Sequence, residues 1–233
     1  MKRGRASKHD SRSFDHFAAS YDRRDELNGG WVTEWLTALL AGRRGASAIE
    51  LGCGSGRVSM LLAHHYDRVR AVDLSSEMIR LARLKHAHPS ISYEQCDLTQ
   101  VTGQYDLVLS IMTLHHVPKL TETLDQIRDL VTPGGIAVLV DAAQPPKPRW
   151  MFHFGNALRF AGDLRHRDRF AWERLRLNGD RQWIDHKVSD RFLSPKEFVA
   201  TYGHAFPGAI VAPVSGVYTV VWERVRYAEA ASE

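Results

Sequence analysis

The stretch that most constrains this chain is AIELGCGSGRV, Ala48 to Val58, where an apolar run ends in an acid and then breaks into three glycines spaced by single residues. Small residues let a ligand approach the backbone, and the free N–H groups of a following helix favour a negative group. A loop of this kind between a strand and a helix lies at the carboxyl edge of an open α/β sheet, where that architecture places its ligands.

The residues around the loop fit such a sheet. Apolar runs predict strands near Ser47 to Leu51, Arg68 to Asp73, Ser90 to Gln95, Tyr105 to Met112 and Gly135 to Asp141. Helical periodicity covers Arg57 to Tyr66, Ser76 to His86 and Lys119 to Val131, the last closed by Pro133 and Gly134. Alternation of strand and helix implies right-handed crossovers and a parallel sheet covered on both faces. Near the C-terminus Ser194 reads as a helix cap with Pro195 at the first helical position, and two β-rich runs flank Ser215 and Gly216. That is a helix followed by a hairpin, with the last strand antiparallel. At 233 residues and 44% hydrophobic the chain can fill one sizeable core.

Three ligands compete for the glycine loop. A nucleoside triphosphate needs a lysine and then Ser or Thr after the glycines, but Gly56 is followed by Arg57 and Val58. The spacing Gly52, Gly54, Gly56 is G-x-G-x-G rather than G-x-G-x-x-G, which disfavours NAD. Asp73 ends the second strand about twenty residues after the first glycine, where an acid accepts hydrogen bonds from both hydroxyls of a ribose. Asp97, at the end of the third strand, is within reach of an adenine amino group. A nucleoside is therefore expected.

The segments AIELGCGSGRV, AVDLSSEMI, CDL, YDLVLSIMTLHHV and LVTPGGIAVLVD, in this order and spacing, resemble the class I S-adenosylmethionine-dependent methyltransferases, in particular the small-molecule type with one catalytic domain. The resemblance covers roughly Phe14 to Asp141. It implies a Rossmann-like seven-stranded, mostly parallel sheet with an antiparallel last strand, helices on both faces and a helical lid insertion. It also implies S-adenosylmethionine as cofactor. Glu50 and Gly52 would border its methionine part, in one turn with Gly54 and Gly56. Asp73 would bind the ribose, Leu74 and Met78 would pack beside the adenine, Asp97 and Leu98 would complete the adenine pocket, and Ser110 and Ile111 would lie near the sulfonium. FDHFAASYD, Phe14 to Asp22, resembles the family's N-terminal lid, with Tyr21 facing the cofactor.

On this reading residues 1–233 form a single methyltransferase domain. It comprises a disordered basic tail (1–13), N-terminal lid helices (14–45), a cofactor-binding core (46–143), a substrate lid insertion (144–192), and a final helix and β-hairpin (193–227).

Because the cofactor brings an electrophilic methyl group, the protein mainly aligns a nucleophile and removes a proton. Candidate bases are His115 and His116 after the fourth strand, and His153 and His186 in the insertion. LHHV resembles wording that the family uses with many substrates, so a structural pair is the competing reading. Asp141 is near the cleft and uncommitted. The insertion interleaves Trp150, Phe152, Phe154, Phe160, Phe170, Trp172 and Trp183 with arginines diluted by acids. It reads as an amphipathic lid whose arginines are solvated and some of whose rings line an acceptor pocket.

The expected acceptor is an aromatic or anionic small molecule, methylated on O or N. The alternatives are a nucleic-acid or protein methyltransferase, and a non-catalytic cofactor-binding scaffold. SIMTLHHV lacks the Asn/Asp-Pro-Pro-Tyr wording of exocyclic-amine methyltransferases, which argues against base methylation. No apolar run is long enough to span a membrane, and the basic N-terminus has no apolar region behind it. Cys53 and Cys96 have no metal spacing and read as reduced thiols. A cytoplasmic monomer or homodimer with no bound metal is the resulting expectation.

Overall fold

In the computed structural model, which describes residues 15–16, 18–28, 30–145 and 147–226, the apolar run before the glycines is β1 (Gly45–Leu51). The tail read at 1–13, together with Phe14, lies outside the described residues. β2 (Tyr66–Asp73), β3 (Ile91–Gln95), β4 (Tyr105–Ile111), β5 (Val131–Asp141), β6 (Ile210–Val214) and β7 (Val217–Glu223) complete one sheet in the order β3-β2-β1-β4-β5-β7-β6. β1 to β5 are parallel, and β7 runs antiparallel between β5 and β6. The reversal of strand order around β1 and β4 opens the crevice in which such sheets hold ligands.

Both faces are covered because strand residues alternate. Ile49, Leu51, Val108, Ala137 and Leu139 pack under α5 (Leu120–Asp129) and α9 (Pro195–Ala205). Their neighbours Ala48, Leu107, Leu109, Ile136 and Val138 pack under α2 (Gly30–Leu39) and α3 (Arg57–Leu62). α4 (Ser76–Lys85) places Ile79 and Ala82 against Ala71 and Tyr93. At α9 the Ser194 hydroxyl accepts from the Glu197 N–H, and the Glu197 carboxylate accepts from the Ser194 N–H, a reciprocal cap with Pro195 at the first position.

Two predicted helices end earlier than their apolar patterns suggest. α3 stops at Leu62, and Tyr66, an apolar position in either reading, opens β2 opposite Gly45. α5 stops at Asp129, and Val131 already pairs with Tyr105. Thr132 to Gly135 therefore bulge out of β5 rather than close the helix. The register jumps from Tyr105↔Val131 to Leu107↔Ile136, and the Asp106 carboxylate ties the bulge to β1 by accepting from the Thr132 hydroxyl and from the Ala46 and Ser47 N–H groups.

The cover has two sources. α1 (Ala18–Asn28) comes from the N-terminal side, and α6 (Arg149–Arg165), α7 (Ala171–Asn178) and α8 (Arg181–Ser189) form the insertion. Arg23 of α1 makes two parallel bonds to Glu173 of α7, at 2.7 and 2.9 Å, and Arg24 donates to the Leu177 carbonyl. Arg174 is buried between Asp163 and Asp168 rather than solvated. The rings divide: Trp150, Phe154 and Trp172 are exposed, whereas Trp183 packs against Tyr21 and His186.

Candidate functional site

The three glycines of the loop do different things. All have positive φ (77°, 52° and 82° for Gly52, Gly54 and Gly56), a region that side chains rarely adopt. The N–H groups of Gly52 and Cys53 both donate to the Val72 carbonyl, at 2.8 and 2.9 Å, which folds the loop back over β2. Gly54 donates to the Asp73 carboxylate at 2.9 Å, and a Cβ on it would meet nothing within 4 Å. Gly56 caps α3, and a Cβ there would sit 2.6 Å from the Tyr93 hydroxyl oxygen. Gly56 is thus a packing residue against β3 and does not line the cleft.

A cleft of about 1040 Å³ opens at this edge, and Tyr21, Gly52, Gly54, Asp73, Leu74, Met78, Asp97, Leu98, Ile111, Met112, Thr113 and His116 are among its walls. Asp73 sits where loop and helix meet. One carboxylate oxygen accepts from Gly54, the other from the Ser75 N–H at 2.9 Å, and burial raises its pKa. Asp97 accepts from the Thr99 N–H and hydroxyl through a single oxygen. Met112, at the end of β4, is a non-glycine residue with φ of 52°, a conformation that concentrates at functional sites.

Three other predicted positions also lie off the cleft walls. Glu50 points into the core, buried, with the Ser59 hydroxyl donating to it at 2.5 Å, and that burial pushes its pKa up to about 8. Ser110 is buried, its hydroxyl donating to the Leu51 carbonyl at 3.1 Å. His153 is exposed on α6 and belongs to neither the main cleft nor the smaller cavity beside it. In each case a strand or helix pattern showed the position but not the direction of the side chain.

The remaining histidines converge. His115 Nδ1 lies 2.6 Å from Asp141, whose carboxylate also accepts from the His115 N–H at 2.9 Å and from the Ala142 N–H at 2.7 Å. The rings of His115 and His116 are 3.9 Å apart, and His186 of α8 lies 5.3 Å from His116. Burial lowers the His186 pKa to about 4, with the charges of His115, Lys187 and Arg24 acting in the same direction, and Asp190 lies 3.6 Å from its Nε2. His116 borders both the cleft and the adjoining cavity of about 310 Å³ that contains His115 and Asp141. Tyr21 packs edge-on against Trp183 at 5.7 Å, and Arg24 lies over the same ring. Asp190 and Arg24, which the structure brings beside His186 and Trp183, are not among the candidates read from the sequence. The spacing of His186 and Asp190, one helical turn apart, was the available signal for the first, and nothing local marks the second.

Comparison with known proteins places this geometry in a family. The chain is 27% identical over 191 residues to a ubiquinone biosynthesis O-methyltransferase of Aeromonas salmonicida, a stretch covering 79% of this chain and 71% of the relative. It is 31% identical over 109 residues to a trans-aconitate 2-methyltransferase of Deinococcus radiodurans, covering 46% and 42%. The same fold recurs in the DhpI complex with S-adenosylhomocysteine, with a TM-score of 0.65 at 21% identity over 94% of this chain and 97% of that one. Residues 22–183 match the methyltransferase domain family, so the chain belongs to that family and is an enzyme that takes its methyl group from S-adenosylmethionine.

Proposed function

We propose that this methyltransferase acts on an oxygen of a small molecule that also carries an anionic group, held between the cofactor cleft and α8. The observation that carries this reading is Arg24. Its side chain is 5% exposed, one guanidinium nitrogen donates to the Leu177 carbonyl, and the buried Nε and Nη1 have no hydrogen-bond partner. An unpaired buried cation is costly, and an incoming carboxylate or similar anion would relieve it. Trp183, half-buried and stacked under the guanidinium, brings an aromatic surface beside it. The names of the relatives support the class, since one is an O-methyltransferase and another acts on trans-aconitate, an anion.

The cleft lining fits the cofactor. In this reading Asp73 receives the ribose hydroxyls through the lone pairs left beside Gly54 and Ser75. Leu74, Met78 and Leu98 flank the adenine with Asp97 at its edge, and Gly52 and Gly54 give the methionine part access to backbone. Tyr21 closes over it from α1. When bound, the cofactor supplies an electrophilic methyl group, which passes to the acceptor oxygen as the C–S bond breaks and its electron pair stays on sulfur. The cluster of His115, His116, His186 and Asp190 receives the hydroxyl end of the acceptor and provides the route by which its proton leaves.

Calorimetry with S-adenosylmethionine and S-adenosylhomocysteine, followed by methyl-transfer assays on matched hydroxy acids and their neutral esters, tests this. Both cofactor forms should bind, and the acids should turn over faster than the esters. Preference for the esters would remove the anionic group from the proposal. Binding without turnover of any small molecule would favour the non-catalytic scaffold.

A further inference from the structure

One ligand atom from each of His115, His116 and Asp190 lies within 4.8 Å of the other two. We propose that these residues form a site for a divalent metal ion of the zinc class, bordering the acceptor position; its role in activating the acceptor hydroxyl rests on the methyl-transfer reading above.

Two imidazoles and one carboxylate are hard-to-borderline ligands that suit zinc, and three protein ligands leave a position for an outside oxygen. Bonds of about 2.1 Å in a tetrahedral site put ligand atoms about 3.4 Å apart, so side-chain adjustments on the order of an ångström close the triad.

His115 already has the support that ligating histidines receive, because its Nδ1 donates to Asp141 and leaves Nε2 as the atom with a lone pair. Asp141 is fixed in turn by two backbone N–H groups, and its side chain is 3% exposed. A histidine oriented so firmly by a buried carboxylate is prepared either to accept a proton or to bind a metal. The second carboxylate, Asp190, within 4.8 Å of it, favours the metal. Asp141 and Asp190 together offset the charge of the ion, and His186, 3.6 Å from Asp190, is a further imidazole at its edge. His116 borders both the cleft and the smaller cavity, which gives the ion a path in and the acceptor a path to it.

An acceptor hydroxyl taking the open position would lose its proton to water more readily, as metal-bound oxygens do. The resulting oxygen anion is then the nucleophile, and the metal itself changes neither oxidation state nor covalent bonding in the transfer.

The test uses the full chain, stripped with EDTA and dialysed against zinc, with bound metal read by mass spectrometry and folding by circular dichroism. About one zinc per chain is expected, with affinity reduced at least about tenfold in His115→Ala and in Asp190→Asn, and reduced about 10- to 100-fold in Asp141→Asn. Absence of stoichiometric zinc, or undiminished binding in both ligand variants, would overturn the site. Cofactor affinity measured on the same samples separates the two proposals: loss of S-adenosylmethionine binding bears on the methyl-transfer reading, and the zinc result stands on its own.

Discussion

The guanidinium of Arg24 lies 4.1 Å above the ring of Trp183, so a buried cation from α1 meets the insertion at the ring that packs against Tyr21, a wall of the cleft. Arg24→Met keeps the stacking volume and removes the charge. The KM for an anionic acceptor should rise about 10- to 150-fold, the equivalent of 1.5 to 3 kcal/mol for hydrogen bonds to a charged group. The melting temperature should hold or increase, because the variant loses one bond to Leu177 but no longer buries an unpaired charge. An unchanged KM in the folded variant would take Arg24 out of the acceptor site.

Asp73 joins the glycine loop to α4, and the same carboxylate faces the cleft. Asp73→Ala should weaken S-adenosylmethionine binding by about 10- to 150-fold, and Asp73→Asn, which retains one acceptor oxygen, should fall between that and the wild type. Calorimetry reads both. Wild-type affinity in folded Asp73→Ala would exclude it from the ribose position.

Glu50 gives the fold a pH dependence. Its folded pKa of about 8 lies above the unfolded value near 4.5. The folded state therefore holds a proton that the unfolded state releases across this window. Its contribution is complete below about pH 4.5 and is lost as pH rises towards 8. Glu50→Gln, which is neutral throughout, should gain stability relative to wild type as pH rises from 5 to 9. The difference in melting temperature should widen by several degrees, and a difference that stays flat with pH would contradict the buried, protonated carboxyl.

Gly54 and Gly56 separate ligand contact from folding. At Gly56 a methyl group would strike the Tyr93 hydroxyl in a left-handed conformation, so Gly56→Ala should cost roughly 2 to 5 kcal/mol of stability in urea unfolding. Gly54→Ala carries the conformational strain alone, about 1 to 2 kcal/mol. Its methyl group enters open space at a residue that lines the cleft, and reduced cofactor affinity should be its main effect. The reverse order of stability effects would show the loop to be packed differently.

The loop and the positions of the first five strands along the chain were legible because glycine spacing and apolar runs report backbone requirements directly. Ser194 and Pro195 marked α9 for the same reason. Element ends were less legible: Tyr66 and Val131 satisfy a helical stripe and a buried strand equally, and tertiary pairing decided between them. The site divides along a similar line. Asp73 and Asp97 end their strands at the cleft, but Glu50, one residue before β1 ends, turns inward to Ser59, a choice made by packing rather than by position. The histidine cluster needed Asp141 from β5 and Asp190 from the insertion, and no spacing in the chain connects residues that far apart. No helix among the described residues is long and apolar enough to cross a membrane, in keeping with the apolar runs.

The bonds from Arg23 and Arg24 to Glu173 and Leu177 join pieces of chain about 150 residues apart. This sets a rule for inheritance. A lineage that exchanged the whole insertion would leave both arginines without these partners, so such an exchange keeps its anchorage to the first helix only if that helix changes with it. The sheet and its glycine loop can meanwhile pass unaltered from one specificity to the next.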